Sequence, residues 1–167
     1  ASNIDKFCKG KRHLYHARVL YDYKGSGDDK EALSALYRHF ARVRETKAWK
    51  QYIVGGVWNV HFDKIPHYRK GHPHIHLVVE MTADVANAIP PELARYLWLS
   101  PINSDDINEI HKAVWYVLNP PFKKLHDDNG LLAFYQYVSH KRRQRDCLGS
   151  WRGKGLLSTR NKGKRNN

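Results

Sequence analysis

Residues 71–80 read Gly-His-Pro-His-Ile-His-Leu-Val-Val-Glu, so that histidines alternate with other residues and then run into a β-branched hydrophobic segment. The alternation predicts a β-strand, on which successive side chains point to opposite faces. His74 and His76 then project from one face, close enough to share a metal ion, while Ile75 and Leu77 face a core. A strand whose polar face merely contains histidines is the structural alternative.

Other histidines cluster around this strand and favour the metal site. Five of the eleven histidines fall between residues 61 and 76. Residues 51–63 predict a preceding strand, with His61 on its polar face and a bulge at its two glycines. Antiparallel pairing of the two strands would bring His61 beside His74 or His76. These three histidines are therefore the predicted metal ligands.

The chain is strongly basic, which bears on its partner. It contains 29 Lys and Arg against 16 Asp and Glu, a formal net charge of +13. A polyanion is implied, nucleic acid first, because phosphate neutralisation with counterion release supplies most sequence-independent affinity. A membrane is not an expected partner, since the sequence shows no basic amphipathic helix of the interfacial type.

Length and composition predict one folded domain over residues 1–150 and a basic, flexible tail over residues 151–167. No apolar run is long enough to span a bilayer and no secretory signal opens the chain, so we expect a soluble cytoplasmic protein.

Cys8 and Cys147 lack the spacing of a disulfide framework or of a cysteine-based zinc finger. Residues 1–13 are expected to form an irregular basic arm.

Hydrophobic spacing predicts the remaining elements. Strands are expected at residues 13–23 and 96–102, and helices at residues 30–49, at Pro90, after an N-cap at Ser104, and at residues 129–143.

One tyrosine lies off the buried stripe of the helix after Ser104. The stripe consists of Ile107, Ile110, Val114 and Val117. Tyr116 lies about 200° around the helix from Val114 and should project away from the core. Glu109 and Lys112 share its face. An ordinary surface or interface tyrosine is the alternative interpretation.

A histidine-bound divalent ion, an exposed tyrosine and a basic surface together suggest phosphoryl transfer on nucleic acid. The ion would polarise a non-bridging phosphate oxygen, and the tyrosine oxygen would attack phosphorus in line, leaving a 3′-hydroxyl and a 5′-phosphotyrosine. Such transesterification conserves the energy of the phosphodiester bond, so the strand can be rejoined. Imidazoles accept Mn²⁺, Zn²⁺, Co²⁺ or Ni²⁺, whereas Mg²⁺ prefers oxygen ligands yet is abundant in cells.

The segment from His72 to Leu77 resembles the His-hydrophobe-His motif of HUH endonucleases, and the order of elements is similar to that of replication initiators (Rep proteins) of rolling-circle plasmids. The resemblance implies an α+β fold, with a central antiparallel β-sheet flanked by helices around an RRM-like core. It implies His74 and His76 as ligands of Mn²⁺ or Mg²⁺, His61 as the third ligand, and Tyr116 as the nucleophile.

The activity implied by this resemblance is the nicking and joining of single-stranded or hairpin DNA at a replication origin in a prokaryotic cell. A host helicase is a further candidate partner. DNA binding is expected from a set of late basic residues: Lys123, Lys124, Arg142, Arg143 and Arg145.

Two positions depart from the family pattern. Asn119 stands where relatives often carry lysine, and Lys112 stands where some relatives place the glutamate that activates water. Glu109, a turn earlier, is a candidate substitute. Lys112 is either a surface lysine or a cation that favours the tyrosine phenolate and stabilises the pentavalent phosphate.

Other functions stay open at this point. A conjugative relaxase or a transposase uses the same chemistry on other DNA targets. A non-catalytic nucleic-acid-binding module with a structural zinc ion would need a fourth ligand, for which His67 or His72 is the candidate. Trp58, Trp115 and Tyr68 are candidates for stacking on unpaired bases, with burial as the alternative for each.

Overall fold

Five strands and five helices make up the described part of the chain, which covers residues 2–22, 29–63, 72–119 and 145–157 of a computed structural model. In chain order they are α1 (Asn3–Cys8), β1 (Leu14–Val19), α2 (Asp29–Glu45), α3 (Lys47–Tyr52), β2 (Ile53–Asp63), β3 (His72–Met81), α4 (Pro91–Ala94), β4 (Leu97–Pro101), α5 (Ile107–Leu118) and β5 (Arg145–Gly149). The helix predicted at residues 129–143 lies outside the described residues. Among the described helices, none combines the length and apolar character needed to cross a bilayer.

The strands form one antiparallel sheet in the order β4-β1-β3-β2-β5, and the helices pack around it, which confirms the predicted α+β fold. The longest pairing joins β2 to β3, with His61 opposite His74 and Asn59 opposite His76. On the other side of β3, Arg18 of β1 lies opposite His76. The predicted pairing of the two histidine strands is therefore confirmed.

Each face of the sheet carries its own core. Helices α2, α3 and α4 pack on one face over the first core, which includes Trp58, Ile75 and Leu77. Helices α1 and α5 pack on the opposite face over the second core, which includes Val57 and Val78. Further along that second face the sheet carries polar side chains next to the second core, and three of them, Asn59, His61 and His76, are buried.

The predicted bulge in β2 is confirmed by a shift of register at Gly55. A Cβ atom on Gly56 would lie 2.5 Å from the Val78 carbonyl oxygen, so only glycine allows β2 to approach β3 this closely. Trp151, the first residue of the predicted tail, is fully buried beside Gly55, and its indole donates to Glu80 at 3.0 Å. The folded part thus extends past residue 150, and residues 158–167 lie outside the described part.

Two helix boundaries differ from the prediction. The helix expected at residues 30–49 is divided at Thr46, whose hydroxyl accepts a hydrogen bond from the Trp49 amide and caps α3. The N-cap of α5 is Asp106, not Ser104, because the Asp106 carboxylate accepts hydrogen bonds from two amides of the first turn.

The N-terminal segment, expected to be an irregular arm, forms α1. Ser2 and Asp5 make a capping box, in which each side chain accepts a hydrogen bond from the other residue's amide. The buried Asp5 carboxylate also accepts a hydrogen bond from Nδ1 of His111, 2.9 Å away on α5. Asp5 therefore links α1 by a hydrogen bond to α5, the helix that carries Tyr116.

We expect Asp5→Ala to lower the free energy of unfolding by about 2 kcal/mol at neutral pH, because it removes a helix cap and a charged hydrogen bond. Urea denaturation measures the change. Asp105→Ala, at an exposed aspartate near α5, is the matched control and should change stability by less than about 0.5 kcal/mol. Equal effects of the two substitutions would contradict the assigned role of Asp5.

This stabilisation should depend on pH. Burial raises the pKa of Asp5, but the hydrogen bonds from His111 and Ser2 outweigh it and hold the pKa below its ordinary value. A carboxyl whose pKa is depressed by folding stabilises the native state above its unfolded-state pKa, and loses this effect as the pH falls through the folded-state value. The stability difference between wild type and Asp5→Ala should therefore shrink below about pH 4.

Candidate metal centre

Three imidazoles meet on the polar part of the second face, next to the second core. One ring nitrogen from each of His61, His74 and His76 lies within 4.8 Å of the others. The ring centroids of His61 and His76 are 4.5 Å apart, and those of His74 and His76 are 4.8 Å apart. The register causes this, since His61 lies opposite His74 and His76 follows two residues later on the same face. The structure brings all three predicted ligands together.

The donor set suits a divalent metal ion. Nε2 of His61 lies 2.9 Å from the Val117 carbonyl oxygen, which can only accept, so in the neutral ring the lone pair lies on Nδ1. Burial lowers the pKa of His76, and the neighbouring imidazoles of His61 and His74 lower it further. Neutral imidazole is the form that binds metal. His67 and the side chain of His72, the candidates for a closing fourth ligand, lie outside the described residues.

A further histidine, which the sequence patterns did not single out, contacts the cluster from β1. Nε2 of His16 lies 2.9 Å from Nδ1 of His76, and the two rings stack with centroids 5.1 Å apart. If His76 binds metal through Nε2, its Nδ1 carries the hydrogen and donates to His16. His16 then fixes both the tautomer and the orientation of His76. The only indication of this role in the sequence is that His16 and Arg18 occupy alternate positions of β1 and so lie on the same face.

Tyr116 reaches the same cluster from α5. Its ring centroid lies 5.1 Å from that of His76, 5.2 Å from His61 and 5.5 Å from His16. The side chain lies outside the second core, as expected, and is half-buried against these imidazoles instead of fully exposed. The reason is that α5 contacts β2 and β3, and Tyr116 stands at the edge of that contact, where the polar part of the sheet begins.

Side chains of β2 hold the last turn of α5 in place. His61 bonds to the Val117 carbonyl, and Nδ2 of Asn59 donates to the Leu118 carbonyl at 3.2 Å. These carbonyls belong to the last turn of the helix, whose oxygens have no partner within the helix. The helix end that carries Tyr116 is thus docked directly on a predicted metal ligand.

Lys112 and Glu109 line an open groove together with Tyr116, as their helical spacing predicts. The groove has a volume of about 410 Å³ and is also lined by His16 and Ser100. Lys112 is exposed one turn before Tyr116. Glu109 lies two turns before Tyr116, and its carboxylate accepts a hydrogen bond from the backbone N–H of Asn103 at 3.1 Å.

Of the basic residues expected to bind DNA, only Arg145 lies in the described part of the chain; the others, Lys123, Lys124, Arg142 and Arg143, lie outside it. Arg145 is exposed at the start of β5, opposite Asn59. Among the aromatic candidates for stacking, Trp58 is buried in the first core and Trp115 is 56% exposed. Tyr68 is outside the described residues.

No protein-family model matches the sequence, and neither a curated protein nor a solved structure shows a significant match to it. Function is therefore argued from the chemistry of the site.

We expect Mn²⁺ or Co²⁺ to raise the Tm of the protein, because an ion that binds only the folded state stabilises it. His74→Ala should abolish this shift. His13→Asn is the control: asparagine tolerates the positive φ of 56° at that position, which lies outside the cluster, and the shift should persist. A full shift in His74→Ala would contradict the assigned ligand set.

His16→Phe should weaken metal binding by about tenfold to 100-fold, because phenylalanine keeps the stacked ring but cannot accept the hydrogen bond from His76. His16→Gln, whose amide oxygen can accept that bond, should recover part of the affinity. Competition with a chromophoric chelator measures both dissociation constants. Wild-type affinity in His16→Phe would show that His16 does not orient the ligand.

Proposed function

We propose that this protein is a single-tyrosine endonuclease of the HUH type, which nicks and rejoins single-stranded DNA at a replication origin. The observation that carries the proposal is the position of Tyr116, whose ring contacts His61 and His76 from a separate helix. A tyrosine whose ring contacts a three-imidazole site, on a chain of net charge +13, supplies the groups that this reaction needs.

The histidines would hold the metal and the groove would hold the strand. His61, His74 and His76 are the candidate ligands of Mn²⁺ or Mg²⁺, and the bound ion supplies Lewis-acid activation of the scissile phosphate. Three protein ligands leave coordination positions for substrate, as catalytic sites require. His16 keeps His76 in the orientation that binding needs.

Tyr116 is the proposed nucleophile. Its phenolic oxygen, after losing its proton, attacks phosphorus; the new O–P bond forms as the bond from phosphorus to the 3′-oxygen breaks, and that oxygen takes up a proton. Lys112, one turn away in the same groove, favours the phenolate and stabilises the charge on the pentavalent phosphate. Attack by a 3′-hydroxyl on the phosphotyrosine reverses the step and rejoins the strand.

The groove favours strand transfer over hydrolysis. Glu109 is the one carboxylate among its described lining residues. It lies seven residues before Tyr116, about 10 Å along the helix axis, and one of its carboxylate oxygens accepts a hydrogen bond from the backbone N–H of Asn103. We therefore propose that the phosphotyrosine is resolved by a 3′-hydroxyl and that water activation by Glu109 is not the main route.

Incubation with a randomised single-stranded DNA library and Mn²⁺ or Mg²⁺ should yield a covalent protein–DNA adduct on a denaturing gel. Tyr116→Phe should form none, because it lacks the attacking oxygen, and Lys112→Ala should slow formation by about 100-fold. Tyr96→Phe, at a half-buried tyrosine packed against the first core, is the matched control and should form the adduct normally.

An adduct formed by Tyr116→Phe would assign the nucleophile elsewhere, with Tyr135 and Tyr137 as the next candidates. The absence of an adduct in the wild type with every divalent ion would favour the non-catalytic binding module.

A further inference from the structure

A row of cross-strand partners crosses the whole sheet on the face that carries the histidines. From β4 to β5 the row consists of Trp98, Arg18, His76, Asn59 and Arg145. Neighbouring strands lie about 4.8 Å apart, so Trp98 stands about 10 Å from His76. The candidate metal ligand occupies the middle of the row, and the residues at its two ends are exposed.

Trp98 is an exposed aromatic side chain beside the metal centre. Its neighbours Leu97 and Leu99 point to the other face and are buried in the first core, whereas Trp98 is 45% exposed. The indole meets the edge of His16 with ring centroids 5.6 Å apart, and His16 stacks on His76. An aromatic surface is thus available to a ligand that also reaches the metal centre.

Arg18 lies between Trp98 and His76 in this row. Its side chain is exposed, and no ion pair or hydrogen bond joins it to another residue in the described ranges. It lies directly opposite His76 in the pairing of β1 with β3 and two residues from His16 on the same face of β1, so it is a cross-strand neighbour of the histidines. An exposed guanidinium beside an exposed indole is a pair suited to a phosphate and a base.

We propose that Trp98 and Arg18 form a subsite for one unpaired nucleotide of single-stranded DNA, in which Trp98 stacks on the base and Arg18 binds its phosphate. The inference rests on the proposed function, since it takes the nucleotide to lie close to the scissile phosphate. The nucleotide would approach the metal centre from the β4 edge of the sheet, because the last turn of α5 covers the sheet on the other side of His76, at Asn59 and His61.

The affinity of the whole chain for fluorescent oligothymidylate, measured by anisotropy in EDTA, tests the subsite without metal or cleavage. Trp98→Ala should weaken binding about tenfold, and Trp98→Phe should retain most of the affinity because it keeps a stacking face. Tyr52→Ala is the control, a half-buried aromatic residue of α3 that packs against the first core on the other face of the sheet, and it should change affinity little. Equal losses in Trp98→Ala and Tyr52→Ala, or no loss in either, would overturn the proposal.

Three further measurements identify the two contacts. Arg18→Gln should lower the slope of log affinity against log salt by about one, as expected for a lost phosphate contact. Trp98→Ala should leave duplex binding unchanged, because paired bases offer no free face. An oligonucleotide carrying iodouracil should photo-crosslink to the peptide that contains Trp98. An unchanged salt slope, or an equal loss on duplex DNA, would contradict the subsite.

The adduct assay separates the failure of this inference from the failure of the proposed function. A Tyr116-dependent adduct together with wild-type affinity in Trp98→Ala refutes the subsite and leaves the endonuclease in place. No adduct, together with Trp98-dependent binding of single strands, refutes the endonuclease and supports the nucleotide site on a binding module.

Discussion

The register between β2 and β3 is the constraint on which the rest of the site depends. It sets His61 opposite His74 and so decides which imidazoles share a face. A slip of one residue would turn His61 into the first core, where Val60 now lies, because side chains alternate along a strand. Gly56 makes the observed register possible, since any larger side chain would meet the backbone of β3.

The polar residues at the centre of the sheet hold the candidate metal ligands and the helix that carries Tyr116 together. Asn59 and His61 are buried, which would be costly without hydrogen-bond partners. Both bond to carbonyl oxygens at the end of α5. The same two hydrogen bonds therefore satisfy buried polar side chains of the sheet and carbonyl groups that have no partner within the helix. In the same way Asp5 both caps α1 and holds α5.

The sequence was informative where structure follows from local spacing. Alternation along residues 51–63 and 71–80 was enough to predict β2, β3 and their histidine face, because the pleat is a local property. Helix α1 is not predicted because its six residues are too few to show a helical repeat, although its Ser2–Asp5 capping box is local; the contact that attaches it to α5, from Asp5 to His111, spans 106 residues. His16 was missed because its importance depends on β1 being the neighbour of β3, which only the folded sheet order reveals. The helical repeat gives the angle around the axis between Tyr116 and Val114, but it does not show which residues of other elements face Tyr116.

The docking of α5 on β2 also bears on how the protein would respond to force. A strand joined covalently to Tyr116 and drawn away during DNA synthesis would pull on the last turn of α5. That turn cannot swing outward without breaking its hydrogen bonds to His61 and Asn59. Under the proposed function, tension on the attached DNA would therefore reach His61, one of the candidate metal ligands, through a single helical turn.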